Sequence, residues 1–208
     1  MAYDFKKEQK QFYKPGKKAE IIEIPCMQYI VVAGKGDPNL PDSEYKQSIQ
    51  LLYGIAYTIK MSKKGPHKID NYFDFVVPPL EGFWWQEGNQ QIDYAHKENF
   101  EFMSAIRMPD FVTRDVFEWA ISKATEKKQL DFSKVKLVSM HEGKCVQIMH
   151  VGSYDEEPAT IDKMKKLVKE KNLSFDYSAT RRHHEIYLSD PRRTKVENLK
   201  TVIRLPIK

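Results

Sequence analysis

The order strand, helix, strand, strand runs through this chain twice, and few architectures accommodate that. In the amino-terminal half "MQYIVVAGKGD" reads as a strand, Met27 to Val32, closed by Gly34 and Gly36. Asp42-Ser43-Glu44 then supplies the cap and early acid that open a helix. "EYKQSIQLLYGIAYTIKM" continues it, with Ile49, Leu52, Ala56 and Ile59 on one stripe at helical spacing. "NYFDFVVPPLEG" reads as a strand ended by Pro78-Pro79, and "FEFMSAIRMP" as another. In the carboxy-terminal half "CVQIMHVGSY" is a strand and "DEEPATIDKMKKLVKEKN" a helix with acids first, Pro158 early and lysines late. "HHEIYLSDP" is a strand stopped by proline, and "TVIRLPIK" is the last strand.

Two βαββ units whose antiparallel sheets meet, with helices covering one side, bury the apolar faces that this order creates. The class is therefore α+β. The expected organisation is a polar lysine-rich lead over 1–20 and a single domain over 21–208. Module one spans about 21–110 and module two about 144–208. Between them, at about 111–143, "TRDVFEWAISKATEKKQ" forms a helix with Val116, Phe117, Ala120, Ile121 and Ala124 inward, followed by the strand "KVKLVSM". That segment breaks the strict repeat.

Charge and composition narrow the function. The net charge of +5 is interleaved with acids, and the densest basic run, Lys6 to Lys18, lies in the lead, which reads as a solvated, partly mobile arm. No basic recognition helix is apparent, so nucleic-acid binding is not expected. No apolar run approaches the ~20 residues that span a bilayer, and the start "MAYDFKKEQK" has no signal-like core. Cys26 and Cys145 stand far apart without a CxxC, as in reduced thiols. A soluble cytoplasmic protein is the expectation. Eleven Tyr, eleven Phe and three Trp exceed what one small core needs, which favours a pocket lined by rings.

The carboxylate of Glu185 inside "HHEIYLSDP" is the sharpest local anomaly. Alternation puts His184, Ile186 and Leu188 on one face, suited to packing against helices, and His183, Glu185 and Tyr187 on the other. A glutamate on the wet face of an antiparallel sheet is ordinarily just solvated. Cleft lining is the alternative, and the company Glu185 could keep favours it. Tyr53 and Tyr57 share a helix face with Gly54 between them to admit a close neighbour. Phe83, Trp84 and Trp85 follow the Pro-Pro break, where an extended backbone turns consecutive tryptophans opposite ways. His150 and Tyr154 end a strand of the second half, His150 in alternation with Val146 and Ile148, as in a satisfied core histidine. His183 and His184 face apart with no third ligand at metal spacing, and no P-loop, nucleophile elbow or dinucleotide fingerprint occurs. No metal and no cofactor is expected.

The segments "YIVVAGKGDPN", "LYGIAYTIK", "PLEGFWW", "EGKCVQIMHVGSYDEEP" and "RRHHEIYLSDPRRT" with "LKTVIRLPI" resemble the GyrI-like small-molecule-binding superfamily. They are most similar to its stand-alone cyclopropanoid cyclopropyl hydrolase branch. The resemblance implies two SHS2-like βαββ modules related by a pseudo-twofold axis, with an aromatic cleft at their junction. It implies a cofactor-free enzyme that adds water to the strained cyclopropane of DNA-alkylating natural products of the duocarmycin and yatakemycin class, and so protects the cell from genotoxins. Carried onto this sequence, Glu185 is the catalytic acidic residue, and the tyrosines of "LYGIAYTIK" and the tryptophans of "GFWW" form the pocket. The chemistry itself asks for a group to take the proton of water, for which Glu185 is placed, and a donor at the developing oxyanion, for which Tyr57 and Tyr187 are the candidates. Tyr53, Phe83, Trp84, Trp85, His150, Tyr154, His183 and Tyr187 are the substrate-binding candidates. The alternative is a non-catalytic module that senses or sequesters aromatic or cationic small molecules. A protein-docking role, as in the gyrase-inhibiting member, ranks below both, and the oligomeric state is open.

Overall fold

The computed structural model describes residues 1–88 and 92–208. Six strands form a closed antiparallel barrel in the order β1-β3-β2-β5-β6-β4. They are β1 (Glu20–Lys35), β2 (Leu80–Trp85), β3 (Glu101–Arg107), β4 (Lys136–Val151), β5 (His183–Tyr187) and β6 (Lys200–Pro206). The order β1-β3-β2 in the first half recurs as β4-β6-β5 in the second. The sheets expected to meet thus close on each other along two seams, β1 with β4 and β2 with β5. Closure leaves no strand edge unpaired.

Two strands differ from expectation. "KVKLVSM" and "CVQIMHVGSY" are one sixteen-residue strand, β4, which passes through Gly143 at φ +63° and pairs with β1 from Glu20↔Gln147 to Val31↔Lys136. Gly143 and the charges around it look like a break in sequence, whereas pairing with the long partner β1 continues in one register on both sides of it. The Pro78-Pro79 pair opens β2 instead of ending a strand. Proline lacks the N–H that a ladder needs, so pairing can begin only beyond it. Residues 71–79 contribute one isolated bridge, Tyr3↔Phe75.

Helices α3 (Glu44–Met61) and α4 (Arg114–Lys128) cover one half of the barrel from outside, and α5 (Glu157–Glu170) covers the other. The Ser43 hydroxyl caps α3 by accepting from the Lys46 N–H at 3.3 Å. Leu52, Ile55, Ala56 and Ile59 are buried in the cluster that also holds Ile30, Val32 and Ile106 of β1 and β3. Ala120 and Ala124 of α4 belong to the same cluster, with Val116, Phe117 and Ile121 packed against it. At Gly54 a Cβ would lie 2.7 Å from the Phe132 ring, so the close neighbour expected there is the segment after α4. On α5, Met164 and Val168 pack against Val146, Ile148, Ile203 and Leu205.

The barrel interior is polar as well as apolar. His184, paired with Arg204 across β5 and β6, points inward, so it and Ile186 face the barrel and not the helices. The His184 ring bonds Glu142 through Nδ1 at 2.9 Å and Glu81 through Nε2 at 2.8 Å, and stacks on Phe83 with centroids 4.0 Å apart. Arg204 donates to Glu142 at 3.1 Å and to Gln147.

The lead is not a solvated arm. Short helices α1 (Phe5–Glu8) and α2 (Lys10–Tyr13) bury Phe5 and Tyr13. Arg204 Nη2 donates to the Phe12 carbonyl at 2.9 Å, and Gln147 Nε2 to the Gln11 carbonyl at 2.8 Å. The lysines stay outside while Phe5, Tyr13 and backbone carbonyls supply what the buried donors need. Among the described residues no helix is long and apolar enough to cross a membrane, and both cysteines are free.

Candidate active site

Helix α3 lies over β1 and β3, and α5 over β4 and β6, so among the described residues the β2–β5 seam between them has no helix on its outer face. A cavity of about 980 Å³ opens there. Glu185 of β5 lies opposite Gly82 of β2, and its side chain points out of the barrel into this cavity. Tyr45, Ile49, Tyr53 and Tyr57 approach from α3 at successive helical turns. Trp84 comes from β2, Tyr187 from β5, Tyr94 and Phe100 from the loop before β3, and Tyr154 and Glu157 from the start of α5. Such a volume with aromatic walls suits a flat, drug-sized molecule.

The ring contacts are specific. The Trp84 indole N–H donates to the Tyr187 hydroxyl at 2.8 Å, Tyr45 packs on Trp84 with centroids 5.2 Å apart, and Tyr53 stacks on Tyr57 at 6.0 Å. Burial and then the charge of Glu185 hold the Tyr187 hydroxyl well above its usual pKa, so it stays a donor at neutral pH. Burial and Glu185 push Tyr154 up to about 12.

Gly82 is what lets the indole and the phenol meet. A Cβ there would lie 2.6 Å from the Trp84 indole nitrogen and 2.8 Å from the Tyr187 hydroxyl. Gly82→Ala is expected to part the two rings and cost about 1–3 kcal/mol, as overpacking does. At about 2–4 °C per kcal/mol for a chain of this size, thermal unfolding would register it. An unchanged melting point with unchanged tryptophan emission would count against that contact.

The floor holds two buried acids. Glu185 Oε1 bonds His183 Nε2 at 2.9 Å. Glu157 Oε2 accepts from the Tyr94 hydroxyl at 3.1 Å, and Glu157 Oε1 has no partner among the described residues. One polar atom each of Glu157, His183 and Glu185 lie within 4.8 Å of one another. Two carboxylate charges at that separation repel by at least roughly 3 kcal/mol at an effective dielectric near 20. Burial first, then Glu185, raises the Glu157 pKa well above the usual carboxylate range. The sequence expectation of no third ligand beside the histidines fails here, because α5 brings Glu157 in from another element. His183 already spends Nε2 on Glu185, and Tyr94 points its hydroxyl at Glu157, a pattern that a proton satisfies without an ion.

Of the sequence candidates, Glu185, Tyr187, Tyr53, Tyr57, Trp84 and Tyr154 line the cavity. Tyr57 is 49% exposed at its rim. His183 stands behind Glu185. Three candidates lie elsewhere. Phe83 shares a face with Glu81 and points into the barrel against His184. Trp85 donates to Glu101 at 2.9 Å beneath Arg182. His150 is locked between Thr160 and the Ser153 carbonyl, at 2.8 and 2.9 Å. Sequence reasoning missed Tyr45, Tyr94, Phe100 and Glu157. Tyr45 was legible, since it continues the Tyr53–Tyr57 spacing backward through Ile49. Glu157 read as a helix-start acid, and nothing local to it signals burial.

The family model of the GyrI-like small molecule binding domain matches residues 17–208. A crystal structure of an uncharacterized conserved protein from Listeria innocua is 51% identical, covers 99% of this chain and 100% of its own, and superposes with a TM-score of 0.94. That of a hydrolase from Listeria innocua is 49% identical with full coverage of both chains and a TM-score of 0.92. The EcmrR C-terminal domain shares the fold at 11% identity over 92% of this chain and 97% of its own, with a TM-score of 0.54. No curated protein matches the chain in sequence.

Proposed function

Because the chain belongs to the GyrI-like small-molecule-binding family, we propose that it is a cofactor-free hydrolase of strained aromatic electrophiles, its substrates cyclopropanes fused to dienones. The observation that carries this reading is a pair of buried carboxyls at the floor of a cavity walled by rings. The Listeria protein described as a hydrolase supports it at 49% identity. The recurrence of strand order in the two halves is what a pseudo-twofold pair of modules would give.

Mechanism follows from the groups present. The flat substrate lies between Trp84, Tyr45 and the α3 tyrosines, which restrict it before attack. Water at the floor gives a proton to Glu185 as its oxygen bonds the cyclopropane CH₂. The breaking carbon–carbon bond sends its electron pair into the dienone, which becomes a phenolate. Tyr187, still protonated and adjoining Glu185, is one donor to the developing oxyanion, and Tyr57 at the rim is the other. Protonation of the phenolate completes hydration, and protein groups return to their starting state.

The test is incubation of substoichiometric protein with a spirocyclopropyl dienone, following dienone absorbance and product mass. Multiple turnovers to the water adduct are expected. Saturable quenching of tryptophan emission without product would instead favour a module that senses or sequesters aromatic or cationic molecules, which the same carboxyls and rings would serve. A genotoxin-protective role in cells follows from the hydrolase reading and stands or falls with it.

A further inference from the structure

Glu157 takes no part in the steps above, yet it is only 1% exposed, against 8% for Glu185. It is the first residue of α5 and lines the same cavity as Glu185 of β5. The groups facing it are Glu185 and His183 from β5, Tyr94 from the loop before β3, and Tyr154 and Asp155 from the turn before α5. Tyr187 and, from α3, Tyr45 lie on the same cavity wall. Among the described residues no lysine or arginine nitrogen comes within 4.0 Å of either carboxyl; Lys97, also on the wall, is paired with Asp155 at 2.7 Å. Two buried acids this close, with no fixed cation between them, cannot both carry charge at little cost.

We propose that Glu157 and Glu185 form one dyad holding a single proton at neutral pH, with Glu157 the positioning residue that keeps the proton and leaves Glu185 free as base. The unpartnered Oε1 of Glu157 is the atom on which that proton sits, and the Tyr94 hydroxyl occupies Oε2. Burial and the charge of Glu185 both push Glu157 toward its protonated form. The kinetic consequence rests on the hydrolase reading, whereas the shared proton does not. Turnover rises with pH as the pair loses its first proton and falls as it loses the second, because a second negative charge repels the phenolate forming on the substrate.

Two measurements separate the dyad from the hydrolase reading. The first is infrared difference spectroscopy with ¹³C-labelled glutamate on the full chain across pH. A buried protonated carboxyl is expected at neutral pH, absent in Glu157→Gln, and in Glu185→Gln titrating away at lower pH than in the parent. The second is the pH–turnover profile. Glu157→Gln mimics the protonated acid, so it should keep at least roughly a tenth of parental turnover at the optimum and lose the alkaline limb. A merely structural Glu157 would lower turnover without moving that limb.

No protonated carboxyl at neutral pH, or one that survives Glu157→Gln, would overturn the proposal. So would turnover in Glu157→Gln as low as in Glu185→Gln at every pH. Stoichiometric Zn²⁺ binding lost in Glu157→Gln would overturn it too, by making the cluster a metal site. An infrared result as expected with no turnover by the parent sinks the hydrolase reading and upholds the dyad.

Discussion

Glu185→Gln should cut turnover by roughly 10²–10⁴-fold, the range that a positioned general base supplies, while the fold and ligand affinity hold. Glutamine keeps the shape of the side chain, and its carbonyl oxygen still accepts from His183 Nε2, so β5 keeps its neighbours. What disappears is the only role an amide cannot fill, taking a proton from water. The variant also removes the charge that disfavours ionisation of Glu157, so the floor relaxes instead of straining. Two numbers decide the outcome: the affinity for a flat aromatic ligand by tryptophan quenching, and the turnover rate. Lost turnover with unchanged affinity assigns the base. Unchanged turnover removes Glu185 from that role. Lost affinity for cationic ligands alone, with no turnover by the parent, leaves a charge reader on the same strand.

How much of this was legible in the sequence depended on whether the cause was local. The doubled strand–helix–strand–strand order and the inward face of α4 follow from periodicity, and both are seen, whereas the alternation that separates Glu185 from Ile186 is kept but its two faces are exchanged: Ile186 faces the barrel, and Glu185 turns outward to the side on which the helices lie. The close approach at Gly54 was anticipated, although its partner Phe132 was not. Barrel closure was illegible, because it depends on β2 meeting β5 across residues 82 and 185, a pairing that no local pattern encodes. The same holds for Glu157 and Tyr94, which reach the cavity from other elements. Phe83 and Trp85 were misplaced for a simpler reason: three consecutive rings follow Gly82, and only Trp84 falls on the outward side of the alternation. The lead misled through its lysine count, which hid Phe5 and Tyr13, the residues that bury.

Arg204→Met should destabilise the protein by about 3–5 kcal/mol, because it breaks a buried ion pair and leaves the Glu142 carboxylate with only the His184 ring as partner. Arg204, Glu142 and His184 are all nearly inaccessible, and Glu142 accepts from both partners. The network also sets how stability depends on pH. Burial alone would raise the Glu142 pKa, but the charges of His184 and Arg204 overcome it and bring it down to about 2. Its contribution is therefore present above the unfolded carboxylate value near 4.5 and is lost as pH falls toward 2. For His184 burial lowers the pKa, and the charge and hydrogen bonds of Glu142 and Glu81 more than reverse that, raising it above 6.5. That contribution is full below 6.5 and is lost as pH rises through the raised value. Glu157 is raised from 4.5, so its contribution is full below 4.5 and declines as pH rises above it. Urea unfolding midpoints should thus peak near 4.5, fall as pH drops toward 2 and fall again as pH rises, with His184 adding to that loss beyond 6.5. In Arg204→Met the acid decline contributed by Glu142 still starts near 4.5 but should be smaller and end at higher pH, since Glu142 has lost one of the two cations that depress it. Replacing Glu142 by Gln in the same variant removes the carboxylate charge and should recover part of the loss, and a double variant no more stable than Arg204→Met would show that packing of the Arg204 side chain, not its charge, holds the barrel together.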